Sequence, residues 1–464
     1  MERTGRSLRD RIPLLTRVWR EHGLGSPGAQ PDRGLTDGEL RSVAARVRDL
    51  SRGLTRLRSL AGAGYFSDPQ LLGAYHLYYW PVSYALCGML LREIPSFAAQ
   101  ASCTIAQASG TIAQASGAGT RREAAGSRTP VSGGGGPRPG IREPASGVRA
   151  SAPGIPARRP QAWALDLGAG SGAFSLALLD RGFGQVAAWD RSAEGLAWAR
   201  RTAELSGYRL ETRVWDALGT ENPTPGGSGR PAEPPGPVTD PASRYDLLTA
   251  GHLFNELWEG RPDRVELRFD LLRRLSGLLT PRGVVLLADP ALPATAADLL
   301  RLRDRLVSAG WRILAPCSYT GPCPALAAGG TCHGEWDWTP PRIVRDIGRM
   351  SRVSPRENLK AAYLLASPPG HSPDEADAPA AGVYRVVSDG MLSKSGRLRH
   401  LVCGPDGRFA LSAKRETLPP EAQAFLSLRR GDLIRFSGAQ ERETGRGLGA
   451  GSSLELLRRR EDPA

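Results

Sequence analysis

The sequence predicts an α/β protein built on a Rossmann-like sheet of seven strands. Three observations carry this prediction. Residues 165–172 read Leu-Asp-Leu-Gly-Ala-Gly-Ser-Gly, a glycine turn that closes a short apolar run and opens onto helix formers from Ala173. Strand-like runs then alternate with helical stretches as far as residue 370, the order expected of a mainly parallel sheet. An acidic residue, Asp190, closes the second run, at the kind of strand end where doubly wound sheets bind ligands.

The chain of 464 residues has room for about three domains. Lys and Arg total 61 against 47 Asp and Glu, a net charge of +14. Most of these cations are Arg, whose planar fork suits phosphate, so nucleic acid is the leading partner. No apolar run is long enough to span a bilayer, and no membrane association is expected. The first 22 residues are Arg-rich, but Glu2, Asp10 and Glu21 interrupt them, which favours a surface helix over a mitochondrial presequence. Six cysteines in a reducing compartment point to metal binding or reactivity before disulfides.

Residues 1–103 read as a helical domain. Leu40, Val43, Val47, Leu50, Leu54 and Leu57 form a helical stripe, with Thr36 and Glu39 placed as a capping box. Ser67-Asp68-Pro69 supplies a cap and first-turn proline for a second helix. Tyr75, Tyr78, Tyr79 and Tyr84 at helical spacing read as core, and Cys87 as a small core residue. Residues 104–160 read as a disordered basic linker. They open with Thr-Ile-Ala-Gln-Ala-Ser-Gly twice and continue in Gly, Pro, Ser, Ala and Arg, a composition with too little apolar surface to fold. A similar stretch, 219–243, interrupts the domain that spans 161–370.

In that domain strands are expected over residues 161–167, 185–189, 210–215, 245–250, 283–288, 311–315 and 361–366. The spacing Asp-x-Gly-x-Gly-x-Gly at Asp166, Gly168, Gly170 and Gly172 differs from the dinucleotide fingerprint. Strand, turn, helix and acid together resemble the S-adenosylmethionine-dependent methyltransferases. The resemblance implies that the turn wraps the methionine part of the cofactor, that Asp190 holds the ribose hydroxyls, and that Asp216 lies near the adenine. Asn255 and Glu256 follow strand four and face the cleft by topology. The Asn-Pro-Pro-Tyr of amino-group methylases is not at this place. His252 reads as structural, and no residue stands out as a catalytic base.

Residues 316–340 replace a short hairpin with Pro-Cys-Ser at Cys317, Cys-Pro at Cys323 and Cys-His at Cys332, and Cys403 precedes Asp406-Gly407. Four thiolates suit zinc or an iron-sulfur cluster, and the spacing is wider than a Cys-x-x-Cys zinc knuckle. This pattern resembles the methyltransferase-like iron-sulfur proteins of small ribosomal subunit assembly, a family of mitochondria and bacteria. The resemblance implies a [4Fe-4S] cluster on Cys317, Cys323, Cys332 and Cys403. Cys103 has no place in it. Residues 383–460 alternate in short runs and read as a small β-barrel-like domain, with Lys394, Arg397, Arg399, Lys414, Arg415, Arg429 and Arg430 as phosphate contacts.

The expected function is therefore an S-adenosylmethionine-binding, iron-sulfur, RNA-binding factor in small-subunit assembly and translation, a monomer whose partners are ribosomal RNA and the small ribosomal subunit. The alternatives are an active ribosomal RNA methyltransferase, zinc at the same cysteines, or a cytosine-5 RNA methylase using Cys317 as nucleophile. The bacterial cytoplasm is the expected location, with the mitochondrial matrix as its alternative.

Overall fold

The computed structural model describes residues 7–26, 30, 34–56, 59–60, 64–94, 161–219, 245–317, 319–353, 357–373 and 382–459. The linker 104–160, nearly all of the 219–243 insertion and Cys103 lie outside the described residues.

The N-terminal helices begin at the caps. In Asp37–Ser51 the Thr36 side chain accepts from the Glu39 N–H at 3.3 Å, and the Glu39 carboxylate accepts from the Thr36 N–H at 2.8 Å, satisfying two orphan donors reciprocally. The α-helix ends at Ser51 and continues as a wider π-helical turn over Arg52–Arg56, and Leu57 lies outside the described residues. At Pro69–Ala74 the Asp68 carboxylate accepts from the N–H groups of Gln70 (2.8 Å) and Leu71 (3.3 Å). The next helix, Trp80–Leu91, has every residue buried except Val82, as an all-round apolar helix requires. Tyr78 and Tyr84 are core, while Tyr75 faces the cleft described below. The first helix, Leu8–Glu21, is more than a surface helix. Its Arg11 is fully buried and ion-paired with Asp180, which also accepts from Tyr84 (2.7 Å) and Tyr208 (2.8 Å).

Strands β1 (Trp163–Leu167), β2 (Gln185–Asp190), β3 (Glu211–Val214), β4 (Tyr245–Gly251), β5 (Leu279–Pro290), β6 (Arg312–Ala315), β7 (Gly334–Asp337) and β8 (Asn358–Ser367) form one sheet. Its order is β3-β2-β1-β4-β5-β8-β6, with β7 paired on β8. β1 to β5 are parallel, and β8 lies antiparallel between β5 and β6. The expected seventh strand is therefore β8, and β7 is an addition from the cysteine loop.

Successive residues of the central strands alternate between faces. Val284, Leu286 and Ala288 of β5, with Ala361, Tyr363 and Leu365 of β8, enter the core that the N-terminal helices also fill. Val285, Leu287, Ala362 and Leu364 enter the opposite core, beneath helices Arg264–Leu275 and Pro293–Ser308. Burial on both faces explains why these strands read as continuous apolar runs.

The C-terminal part forms a second, mostly antiparallel sheet from β9 (Tyr384–Val386), β10 (Met391–Leu392), β11 (Arg397–Gly404), β12 (Gly407–Lys414), β13 (Leu433–Ser437), β14 (Gln440–Arg442), β15 (Gly445–Gly447) and β16 (Ser453–Arg458). It has its own core around Val386, Val402, Leu411, Phe425 and Ile434. Among the described residues no helix is long and apolar enough to cross a membrane.

Candidate functional site

A cavity of about 340 Å3 opens at the carboxyl ends of β1, β2 and β4, within the range of small-molecule sites. Gly168 and Gly170 form one wall, and Asp190, Trp215, Asp216 and Glu256 surround it. The Asp190 carboxylate accepts from the N–H groups of Gly170 and Ser192, each at 2.8 Å, so it braces the turn that it faces. Burial raises its pKa above the ordinary carboxylate value, against those two hydrogen bonds. At Gly170 φ is +52°, and a Cβ would meet the Phe66 ring at 2.8 Å. Glycine is required there twice over, by conformation and by approach. The buried indole N–H of Trp215 has no partner among the described residues, leaving a donor for a ligand.

The N-terminal part supplies the remaining wall. Tyr65, Phe66 and Tyr75 line the cavity, and Trp80 donates its indole N–H to the Ser171 carbonyl at 3.0 Å. Tyr75 at helical spacing reads as core, and Tyr65 and Phe66, in a short turn before the Asp68 cap, carry no periodic signal.

Three residues expected at the cofactor sit behind the cavity instead. Asp166 is buried beneath the turn, accepting from Ser175 (2.6 Å) and Thr249 (3.0 Å). Burial pushes its pKa up to about 7 despite these bonds. Gly172, with φ +85°, starts helix Ala173–Asp180, where a Cβ would meet Ala199 at 2.7 Å. The Asn255 amide is buried and donates to Asp289 (3.1 Å) and the His252 carbonyl (2.8 Å). Its neighbours His252 and Glu256 line the cavity in its place. His252 has φ +62°, a conformation uncommon for a residue with a Cβ.

A second, smaller cavity is lined by Cys317, Cys323, Cys332 and Cys403 together. Cys317 follows β6, Cys323 leads the short helix Pro324–Ala327, Cys332 precedes β7, and Cys403 lies on β11. Two separate units of the chain thus deliver sulfur to one place. Among the described residues no three of the His, Cys, Asp or Glu side chains are grouped as a ready site for a metal ion. Burial pushes the Cys317 thiol up to about 12 and Cys403 to about 11, and raises Cys332 as well, while nearby arginines pull down. Metal binding would have to displace these protons.

Arginines hold the loop in place. Arg303 on helix Pro293–Ser308 is 1% exposed and donates to the carbonyls of Tyr319 and Gly321. The neighbouring Asp304 accepts from the Cys323 N–H at 3.0 Å. Arg385 of β9 donates to the Pro316 carbonyl at 2.8 Å, and Arg408 of β12 to the Thr331 carbonyl at 3.5 Å. Arg303 and Arg408 line the cavity, and the buried Nε–H of Arg303 has no partner among the described residues. Arg303 is ion-paired with Asp304 at 2.7 Å, so a donor set of four thiols with the free Nε–H of that arginine at the wall fits a metal-sulfur group. Cys87 lies apart, buried at 0% exposure in the Trp80–Leu91 helix.

The sheet order and the glycine-turn cleft define a methyltransferase-like fold of the S-adenosylmethionine-dependent type. Residues 237–419, somewhat under half of the chain, match the family described as mitochondrial small ribosomal subunit Rsm22. That span includes all four cysteines of the second cavity and begins after the glycine turn. No curated protein matches the chain. Among solved structures, it is similar to the ribosomal protein L11 methylase of Lactobacillus delbrueckii subsp. bulgaricus at 17% identity. That match covers 45% of this chain and 70% of the other, with a TM-score of 0.25. TehB of Haemophilus influenzae gives 18% identity over 45% of this chain and 58% of the other, TM-score 0.26. The magnesium protoporphyrin IX methyltransferase of Synechocystis gives 16% over 45% and 70%, TM-score 0.25.

Proposed function

We propose that the chain is an S-adenosylmethionine-binding, iron-sulfur factor that binds ribosomal RNA during assembly of the small ribosomal subunit. The observation that carries this reading is the meeting of Cys317, Cys323, Cys332 and Cys403 at one cavity, within the stretch that matches the Rsm22 family. These four cysteines would hold a [4Fe-4S] cluster, which supplies iron-thiolate bonds tying the C-terminal sheet to the methyltransferase-like domain. Arg303, Arg385 and Arg408 orient the loop and offset its negative charge. In the first cavity Gly168 and Gly170 would wrap the methionine portion of the cofactor, Asp190 the ribose, and Trp215 and Asp216 the adenine side. The net charge of +14 supports an RNA partner.

A second reading, an active ribosomal RNA methyltransferase, is favoured by the placement of His252 and Glu256 on the cofactor cavity. Methyl transfer can proceed by positioning alone, so a dedicated base is not required. Cys317 lines the cysteine cavity and not the cofactor cleft, an arrangement that does not favour a cytosine-5 nucleophile. The bacterial cytoplasm or the mitochondrial matrix suits this role.

Anaerobic purification with iron, sulfide and zinc quantification, on the native chain and on Cys403→Ser, tests the reading. Iron with matching sulfide, made labile by the substitution, is expected. Zinc alone would replace the cluster with an ion, and no metal would sink the assignment. Asp190→Ala separates the two roles. An assembly factor keeps its effect on subunit maturation when cofactor binding is lost, whereas an enzyme leaves one RNA position unmethylated.

A further inference from the structure

The C-terminal sheet carries a hairpin that neither cavity uses. β10 and β11 are joined through residues 393–396, where the Ser393 N–H donates to the Arg397 carbonyl at 2.9 Å and Ser393 Oγ accepts from the Arg397 N–H at 3.1 Å. Met391 and Leu392 are 45% and 73% exposed, two of the five large apolar side chains so exposed among the described residues. Beside them stand Lys394, Arg397 and Arg399, with Lys414 paired opposite Arg397 and Arg415 next in sequence. None of these five cations forms an ion pair with another described residue. Elsewhere on the sheet Arg435 pairs with Glu455 at 2.9 Å, and Arg446 with Asp406 at 2.7 Å and Glu441 at 2.6 Å. The nearby acids are Asp389, which lies 3.7 Å from Arg430, and Glu416. A local excess of positive charge therefore remains.

Alternation along β11 puts Arg397, Arg399, Leu401 and Cys403 on one face. The face runs about 20 Å from the basic end to the cysteine cavity, at roughly 3.3 Å per residue.

We propose that this hairpin and the basic ends of β11 and β12 dock a single-stranded segment of a structured RNA. The cations take phosphate oxygens, and Met391, which pairs with Arg399 on the same face, packs against the face of an unstacked base. This rests on the ribosomal RNA reading above and assigns it a surface. Unneutralised cations keep their full attraction for phosphate, while the exposed apolar Met391 gains nothing from a phosphate backbone alone. Base faces satisfy it, as apolar wedges do in other nucleic-acid complexes. A continuous RNA duplex hides those faces.

The test uses the full chain and fluorescence anisotropy over a salt series. Its probes are a transcript of small-subunit ribosomal RNA, a perfect RNA duplex, and polyglutamate as an acidic polypeptide. The triple variant Lys394→Ala, Arg397→Ala, Arg399→Ala should bind the transcript about 10- to 100-fold more weakly and lower the salt slope by about 2. The variant Met391→Ser should weaken the transcript about 3-fold or more, spare the duplex and leave the slope unchanged. Both should retain the metal content and cofactor affinity of the native chain, which certifies their folding. Unchanged affinity of the triple variant, with a native chain that binds the transcript, overturns this surface and leaves the RNA reading intact. A native chain that binds neither RNA overturns both. Polyglutamate displacing the transcript from the native chain at equal charge, but not from the triple variant, assigns the face to an acidic protein and overturns the proposal.

Discussion

Glu93 joins three parts of the molecule, and removing it should loosen all three. It follows helix Trp80–Leu91 and lies between Arg385 (3.0 Å) and Arg458 (2.7 Å). The Glu93 and Arg385 side chains are 10% and 8% exposed, and that of Arg458 is 35% exposed. Deleting one partner of a buried pair costs about 3–5 kcal/mol, because the remaining charge stays buried unpaired. Arg458 can rehydrate, so Glu93→Ala should sit near about 3 kcal/mol. At about 1.4 kcal/mol per tenfold, that raises local opening roughly 100-fold. Hydrogen exchange on the full native chain should show this loss of protection in β9 and β16, with β1 and β4 little changed. A loss below about 3-fold would refute the reasoning. Arg385 also holds the Pro316 carbonyl, so, if the cluster is bound as proposed, the variant should release its iron faster. Burial pushes the Glu93 carboxyl upward, but Arg385 and Arg458 outweigh it and leave the pKa below the ordinary value. The stabilisation is therefore present above the unfolded value of about 4.3 and is lost as pH falls through the folded value. Glu93→Ala should lack this acid-sensitive component.

Asp166 has the opposite sign. Its pKa is raised by burial to about 7, so its contribution is present at low pH and is lost as pH rises toward and through 7. The melting temperature of Asp166→Asn should gain on the native chain between pH 5 and pH 8, and a constant difference would contradict the assignment. Gly170→Ala should cost about 1–3 kcal/mol from its positive φ and weaken S-adenosylmethionine at least 10-fold by calorimetry. Adding Phe66→Ala should recover only part, since it restores space but not conformation. If the cluster is bound as proposed, Arg303→Met should make it harder to reduce, seen as a lower midpoint in a redox titration, and Arg303→Lys should recover part of the shift. An unmoved midpoint would place Arg303 outside the field of the cluster.

The elements most legible in the sequence are those whose signal is periodic and local. β1, β2, β4, β5 and β8 show as apolar runs because both faces are buried, and Thr36 with Glu39 marks a helix start within four residues. β7, β10, β14 and β15 contain two to four residues each. They are strands only because a neighbour pairs with them, so nothing local announces them. The same limit applies to the sites. Gly170 and Asp190 stand out by spacing, and four cysteines by scarcity. Asp166 and Asn255 carry the right side chains in the right motif, but Thr249 and Asp289 draw them inward from 83 and 34 residues away. Nothing local sets Arg303 and Arg385 apart from the other arginines of an Arg-rich chain. Their burial follows from carbonyls on a loop whose path the cysteines do not fix.

The wall that Tyr65, Phe66 and Tyr75 lend to the cofactor cleft bears on how this protein can be cut. A shortened gene starting at residue 161 would still encode every strand of the sheet. It would also leave Phe174, Leu178 and Tyr363 facing water where the N-terminal helices now cover them, along with an open cleft and an Asp180 without its Arg11 and Tyr84 partners. Such a fragment should be poorly soluble and unable to retain its ligand. The described helices of the first 94 residues therefore belong to the folding unit of the sheet, even though a long stretch of chain separates the two in sequence.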